Sequence, residues 1–243
     1  MRIDISGMHG EFLAAQQGKK SRHSVLDRTA PSIWQYDYLA LSTLRQDVGA
    51  LIAEVPGGGD ALDIGADKSP YRELLEDRGF TVKTLDVDPR SGADFTGTVE
   101  QTGLGDLTFD LVLCTQVLEH CDDPWAGMRE VRRILKRGGH ALISVPHVWF
   151  YHPHPKDHWR FTQEGLVHLC ATAGLVPRSL LAQGGSLLAG AQVLNFLAYG
   201  VLGRSGAPLF AAINALGRTA DRLVPNTLFC HNIACLAQRP HAL

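Results

Sequence analysis

Apolar residues recur along the chain at two alternating spacings, and this alternation predicts an α/β fold. Residues 32–55 carry apolar side chains at helical spacing and predict an amphipathic helix. Short apolar runs at 61–64, 81–89 and 109–114 predict strands buried in a parallel sheet. A helical segment lies between the first two runs, so the order of elements indicates a doubly wound parallel sheet with helices on both faces.

The second half of the chain continues this pattern. Asp123-Pro124 predicts the start of a helix, and Gly138-Gly139 is expected to end it. Strands are expected at 140–146, 175–183 and 230–240. Between the last two, the uncharged stretch 186–203 and the amphipathic stretch 207–225 predict two helices.

The stretch from Ser179 to Gly203 contains no charged residue, and about 20 apolar residues suffice to span a membrane. Its first part is expected to be a strand, and the rest contains Gln192, Asn195 and several glycines. We therefore expect no membrane insertion. A long uncharged helical surface instead predicts a homo-oligomer interface through residues 186–224.

The composition limits the possible functions. The chain has 243 residues, 45% of them hydrophobic and 20% charged, which suits one α/β domain with additions. A formal net charge of −2 gives no electrostatic support for nucleic-acid binding. The five cysteines lack CxxC spacing and the N-terminus has no apolar signal core, so we expect a cytoplasmic protein.

Residues 1–31 are expected to form a mobile arm or a flap over the active site.

The stretch ALDIGADKSPY at 61–71 has the layout of a nucleoside site. A short apolar strand leads into a turn at Gly65, and Ser69-Pro70 predicts the start of a helix. The next strand ends at Asp86. In a doubly wound sheet the turn receives the ligand near a helix N-terminus, and the second acid binds the ribose hydroxyls.

Two stretches resemble motifs of the class I S-adenosylmethionine-dependent methyltransferases, in their type 11-like group. LDIG at 62–65 is similar to motif I of this family. FDLVLCTQVLEHCDDP at 109–124, followed by RILKRGG at 133–139, is similar to its central block.

The resemblance implies a definite fold and domain organisation. It implies an α/β fold with a Rossmann-like seven-stranded sheet, in which six strands are parallel and the last is antiparallel, with helices on both faces. Residues 1–56 would form an N-terminal arm and helix. Residues 57–243 would form the methyltransferase-like domain, with a two-helix insertion at 186–224.

The resemblance also implies S-adenosyl-L-methionine as the cofactor. Asp63 and Gly65 would position its methionine part, Asp86 would bind the ribose, and Val87 would pack on the adenine. The full predicted cofactor site consists of Asp63, Gly65, Ala66, Asp67, Asp86, Val87 and Thr115.

The histidine-rich stretch 147–161 has three competing interpretations. His152, His154 and either Asp157 or His158 could bind a metal ion. One histidine or Asp157 could take a proton from a methyl acceptor. The stretch could also be a rigid lid over the site. Some type 11 methyltransferases carry a similar HPxDxWRFT segment in their substrate pocket, and this resemblance favours substrate or catalytic contact. Metal binding ranks last, and no metal site is expected.

The catalytic residues are expected in this loop and beside it. Glu119 and His120 follow the strand at 109–114, where they could brace the loops or contact a ligand. The predicted catalytic residues are His154, Asp157 and His158, with His120 in reserve.

These observations predict an S-adenosylmethionine-dependent methyltransferase that methylates a hydroxyl oxygen of a small molecule or glycan-type acceptor. The alternative is a non-catalytic, methyltransferase-like partner subunit. It arises because Ala66 and Asp67 stand where motif I prefers a small residue and a glycine.

Overall fold

Strands and helices alternate along residues 28–152 and 156–241, which the computed structural model describes. The helices are α1 (Tyr38–Ala53), α2 (Arg72–Glu76), α3 (Pro124–Ile134), α4 (Gln163–Thr172), α5 (Ser186–Leu202) and α6 (Ala207–Leu223). The strands are β1 (Gly59–Ile64), β2 (Phe80–Asp86), β3 (Phe95–Thr96), β4 (Phe109–Thr115), β5 (Leu135–Pro146), β6 (Val176–Gln183) and β7 (Asn232–Gln238). Short 3₁₀ turns lie at Leu118–His120 and Gly203–Gly206.

The strands form one sheet in the order β3-β2-β1-β4-β5-β7-β6. The pairs from β3 through β5 are parallel, and β7 runs antiparallel to both β5 and β6. The predicted sheet of six parallel strands and one antiparallel strand is therefore confirmed. Its seventh member is the two-residue β3, which lies in a polar stretch where no strand was expected.

Each strand of the sheet divides its side chains between two cores. On β4, Leu111 and Leu113 pack with α1 and α2, through residues such as Val48 and Leu75. The alternate residues Val112 and Cys114 pack with α3 and α4 on the other face. The sheet thus has helices on both faces, as predicted, because successive side chains of a strand point to opposite sides. Helix α1 shares the core of the sheet, while the domain boundary at residue 56 stays a prediction.

The expected helix start at Ser69-Pro70 is wrong. Helix α2 begins at Arg72, and Ser69 has a left-handed backbone with φ of +51°. The Ser69 hydroxyl donates to Asp63 Oδ2 at 2.7 Å instead of capping a helix. A serine oxygen satisfies a helix N-terminus and a tight turn by the same chemistry, so the local sequence does not distinguish the two.

The expected helix stop at Gly138-Gly139 is also wrong. Helix α3 begins as predicted with Asp123 as its cap, because Asp123 Oδ1 accepts from the Ala126 N–H at 3.0 Å. It ends at Ile134, and β5 already begins at Leu135. The positive φ of Gly138, +79°, belongs instead to the irregular start of β5 beside β4.

Helices α5 and α6 lie between β6 and β7, where the sequence predicted two helices. They pack against each other, and Asn195 Nδ2 donates to Asn214 Oδ1 at 2.7 Å between them. Among the described residues, Ser186–Leu223 is the one stretch apolar enough to cross a membrane by length and composition. The turn at Gly203–Gly206 breaks it into two helices of 17 residues each. A helix of that length spans roughly 26 Å, below the thickness of a bilayer core.

Candidate functional site

The carboxyl ends of β1, β2 and β4 lie side by side. They bring three predicted cofactor residues, Gly65, Asp86 and Thr115, to one edge of the sheet. Ile64 is in register with Leu85 on β2 and with Cys114 on β4. Asp86 and Thr115 therefore end their strands next to the turn that follows β1. The strand order reverses between β1 and β4, and ligands of such sheets bind in the crevice at this reversal.

The turn after β1 requires glycine at its first position. Gly65 has a φ of +68°, and a Cβ there would lie 2.4 Å from Cγ2 of Val117. Its N–H donates to the Leu85 carbonyl at 2.8 Å, which fixes the turn to β2. Ala66 follows and is buried.

Asp67 occupies the position where motif I has a second glycine. Its φ is +47°, a left-handed conformation that aspartate tolerates better than most residues. The residue is exposed, and its N–H donates to Asp86 Oδ2 at 2.9 Å. The backbone of the turn is therefore held in the conformation that a glycine would adopt.

Asp63 lies beneath this turn rather than on its surface. Its side chain is buried, and it accepts the Ser69 hydroxyl. Burial raises the pKa of Asp63 to about 6, although the Ser69 hydrogen bond and Arg72 oppose the shift. Asp63 therefore stabilises the turn through its buried hydrogen bond with Ser69.

Asp86 and Val87 face the crevice at the end of β2. The Asp86 carboxylate accepts backbone N–H groups from Asp67 and Asp88, each at 2.9 Å. A carboxylate has about four lone-pair sites, so acceptor capacity remains for ribose hydroxyls. Val87 is 60% exposed and offers an apolar surface beside this acid.

The histidine-rich loop lies over the same edge of the sheet. The His158 and Trp159 N–H groups donate to the Glu119 carbonyl at 2.8 and 3.2 Å. The Trp159 indole N–H donates to the Cys121 carbonyl at 2.8 Å. The loop is thereby fixed to the turn after β4, as its departure from the carboxyl end of β5 predicts.

Asp157 is the internal brace of this loop. Its side chain is 1% exposed and forms a bidentate ion pair with Arg160. It also accepts the His152 N–H at 2.9 Å. Burial by itself would raise the pKa of Asp157, but the hydrogen bonds from Arg160 and His152 outweigh it and lower the pKa.

The predicted catalytic histidines differ in their surroundings. His158 is 36% exposed, and its Nε2 lies 3.2 Å from Asp122 Oδ1. His120 is partly buried, and its Nδ1 contacts the Lys156 carbonyl. Burial lowers the pKa of His120, which favours the neutral ring. His154 lies outside the described residues.

Glu119 is the most deeply buried ionisable group of this region. Its residue exposure is 0%, and its Oε1 lies 3.8 Å from His120 Nε2. Burial raises the pKa of Glu119 to about 8, against the attraction of Arg160.

Comparison with known proteins shows the family of this chain. A family model described as a methyltransferase domain matches residues 35–174, which is more than half of the chain. The chain belongs to the class I S-adenosylmethionine-dependent methyltransferases.

Individual relatives of this methyltransferase domain are distant. An uncharacterized methyltransferase from Mycobacterium sp. (strain KMS) is 28% identical over 126 residues, which is 44% of this chain and 49% of that protein. A malonyl-[acyl-carrier protein] O-methyltransferase from Serratia marcescens is 28% identical over 140 residues, or 52% of this chain and 53% of that protein. The chain thus spans about half the length of the curated relatives it matches.

The solved structures share the fold. A structure described as a putative sarcosine dimethylglycine methyltransferase from Galdieria sulphuraria superimposes with a TM-score of 0.56 at 14% identity. The superposition covers 84% of this chain and 87% of the other.

The methyltransferase domain also contains a polar network that the sequence analysis missed. Gln116 Nε2 donates to Ser144 Oγ at 3.0 Å, and Ser144 donates to Gln183 Oε1 at the same distance. The network links the ends of β4, β5 and β6 beside Thr115, which is partly buried. Ser144 and Gln183 lie at the ends of otherwise apolar strands. This position could have predicted the network, because buried polar groups need hydrogen-bond partners.

Proposed function

We propose that this chain transfers a methyl group from S-adenosylmethionine to a hydroxyl oxygen of a small molecule or glycan-type acceptor. The observation that carries the proposal is the position of the histidine-rich loop. The loop is fixed to the turn after β4, at the sheet edge that also presents Gly65 and Asp86. Potential proton acceptors and a nucleoside-type cradle therefore share one crevice.

The cofactor would be held by the turn after β1 and the end of β2. Asp86 would accept the ribose hydroxyls with its remaining lone pairs, and Val87 would pack on the adenine. Gly65 would allow the methionine part to approach the backbone. Ala66, Asp67 and Thr115 complete the proposed contacts, while Asp63 supports the turn through Ser69.

The reaction needs alignment and one proton acceptor. The acceptor oxygen would attack the methyl carbon as the carbon–sulfur bond breaks, and S-adenosylhomocysteine would leave as a neutral thioether. A hydroxyl acceptor would pass its proton to a base, so the products would be a methyl ether and a protonated base.

Among the described residues, the geometry favours His158 as this base. Its ring is partly exposed and has a carboxylate partner in Asp122. Asp157 is committed to Arg160, and the His120 side chain is only 17% exposed, against 36% for His158. His154 remains a candidate from the sequence.

A small cavity next to the loop supports an acceptor with an apolar or planar part. It encloses about 100 Å³ between the loop and α5, and its walls include Trp149, Phe150, Ala189 and Phe229. Phe150 stacks on Phe196 of α5, with ring centroids 3.7 Å apart. The Serratia relative is named for an acceptor attached to a carrier protein, so carrier-bound acids belong in any acceptor screen.

Calorimetry with S-adenosylmethionine and S-adenosylhomocysteine tests the cofactor site first. A screen of phenols, sugars and carboxylic acids then follows the release of S-adenosylhomocysteine by mass spectrometry. We expect cofactor binding and release that depends on one acceptor class. A chain that binds neither compound would contradict the proposal.

A further inference from the structure

Three side chains with metal-binding atoms meet beside the proposed active site. Glu119 and His120 lie in the 3₁₀ turn after β4, and His152 lies in the loop after β5. One ligand atom from each of the three lies within 4.8 Å of the other two. The two imidazole rings meet edge to face, with centroids 5.2 Å apart.

Both imidazoles are already oriented by acceptors at Nδ1. His120 Nδ1 contacts the carbonyl of Lys156. His152 Nδ1 lies 2.9 Å from the carbonyl of Phe150 and 3.3 Å from Asp157 Oδ2. A ring that donates its Nδ1–H keeps the lone pair on Nε2, and metal-bound histidines are held in this way.

The carboxylate of Glu119 supplies the second, independent observation. The residue is fully buried, and within residues 28–152 and 156–241 neither of its oxygens has a hydrogen-bond partner. Its Oε1 lies 3.8 Å from His120 Nε2. A buried polar atom without a partner is costly, and a cation at this point would satisfy it.

We propose that Glu119, His120 and His152 form a binding site for one divalent transition-metal ion. Two imidazoles and one carboxylate suit zinc and neighbouring first-row ions better than magnesium or calcium, which prefer oxygen ligands. Ligand atoms at about 2.1 Å from a common ion lie roughly 3 to 4 Å apart. Small side-chain shifts from the described arrangement reach this geometry.

Three protein ligands leave a coordination position open, as in catalytic zinc sites. This further role rests on the proposed function: an acceptor hydroxyl or carboxylate bound at the open position would be oriented towards the cofactor. A hydroxyl bound to the ion would also lose its proton more readily. Metal binding itself does not depend on the identity of the acceptor.

The test uses the whole chain, freed of metal with EDTA and titrated with Co²⁺ by visible absorption and with Zn²⁺ by calorimetry. We expect one ion per chain. Glu119→Gln and His152→Ala should each weaken binding by more than about tenfold, because one of three bonds to the ion is lost. The matched control is His168→Ala, which removes an exposed histidine on α4 and should leave the affinity unchanged.

Circular dichroism of the metal-free variants checks that they fold. If the buried Glu119→Gln change prevents folding, His152→Ala decides the question, since His152 lies in the loop. Absence of binding by the unaltered chain, or equal affinity in the His152 and His168 variants, overturns the proposal. S-adenosylhomocysteine binding to metal-free protein separates this outcome from failure of the proposed function, because it tests the cofactor site alone.

Discussion

Asp67 and Asp86 are joined across the mouth of the crevice: the backbone N–H of Asp67 donates to Asp86 Oδ2 at 2.9 Å. The acid at the end of β2 thus fixes the turn after β1 and still has lone pairs for a ligand. The same carboxylate also accepts the Asp88 N–H.

Replacement of Asp86 should therefore weaken cofactor binding. We expect Asp86→Ala to cost about 1–3 kcal/mol of binding free energy, since ribose hydroxyls and the turn amide lose their acceptor. Calorimetry with S-adenosylhomocysteine measures the effect. Asp88→Ala is a matched control, because the Asp88 side chain pairs with Arg90 at the surface. Equal affinities in the two variants would remove the ribose assignment.

Asp63 should make the folded state less stable at neutral pH than in mild acid. Its folded pKa of about 6 exceeds the ordinary value of 3.8, so between these values the folded chain holds a proton that the unfolded chain releases. Stability from this group therefore falls as the pH rises from about 4 to 6. Relative to Asp63→Asn, the unaltered chain should lose up to about 3 kcal/mol across this window.

Urea unfolding at several pH values measures the difference in free energy of unfolding between the two proteins. The pKa of Asp88 is lowered to about 2 by its bonds with Arg90, so Asp88→Asn should show no such trend above pH 4. A constant difference between Asp63→Asn and the unaltered chain from pH 4 to 7 would contradict the expectation.

His158 should affect turnover without affecting the cofactor. We expect His158→Ala to lower kcat by about 10²–10⁴-fold, since a neutral hydroxyl acceptor then lacks its base. The affinity for S-adenosylhomocysteine should stay nearly constant. His168→Ala on α4 provides a histidine control, and full activity of His158→Ala would exclude His158 as the base.

Replacement of Asp157 should reduce the stability of the fold, because Asp157 holds the histidine-rich loop together through Arg160. Asp157→Ala leaves Arg160 without its bidentate partner, and we expect a loss of about 1–3 kcal/mol in unfolding free energy. Urea unfolding measures this loss. A variant with unchanged stability but greatly reduced kcat would instead return Asp157 to the role of base.

The exposed apolar face of α5 and α6 should mediate self-association. Leu197 and Val201 on α5 are 60% and 85% exposed, and Leu216 on α6 is 71% exposed. Large exposed apolar surfaces mark interaction sites. Light scattering should report a dimer or larger species, and Leu197→Glu with Leu216→Glu should shift it to a monomer. Val176→Glu on β6 serves as the control. A strictly monomeric chain, or one that sediments with lipid vesicles, would contradict this expectation.

The sequence by itself determined the order of the helices and of every strand except β3, the family, and the edge of the sheet where the site is proposed. These features depend on signals that are local in the chain. The apolar run that became β4 is buried on both faces whatever its partners are, and Asp123 caps α3 with an N–H three residues away. Gly65 was recognisable because its turn needs a residue without a Cβ.

Only the tertiary structure decided which polar groups meet. The Ser69 side chain could either cap a helix or bond to Asp63, and in the folded chain its hydroxyl donates to Asp63. Glu119 and His152 are far apart in the sequence and become neighbours because β4 and β5 are parallel and end at one edge. A local sequence pattern does not predict such contacts, because they form between loops that are distant in the sequence.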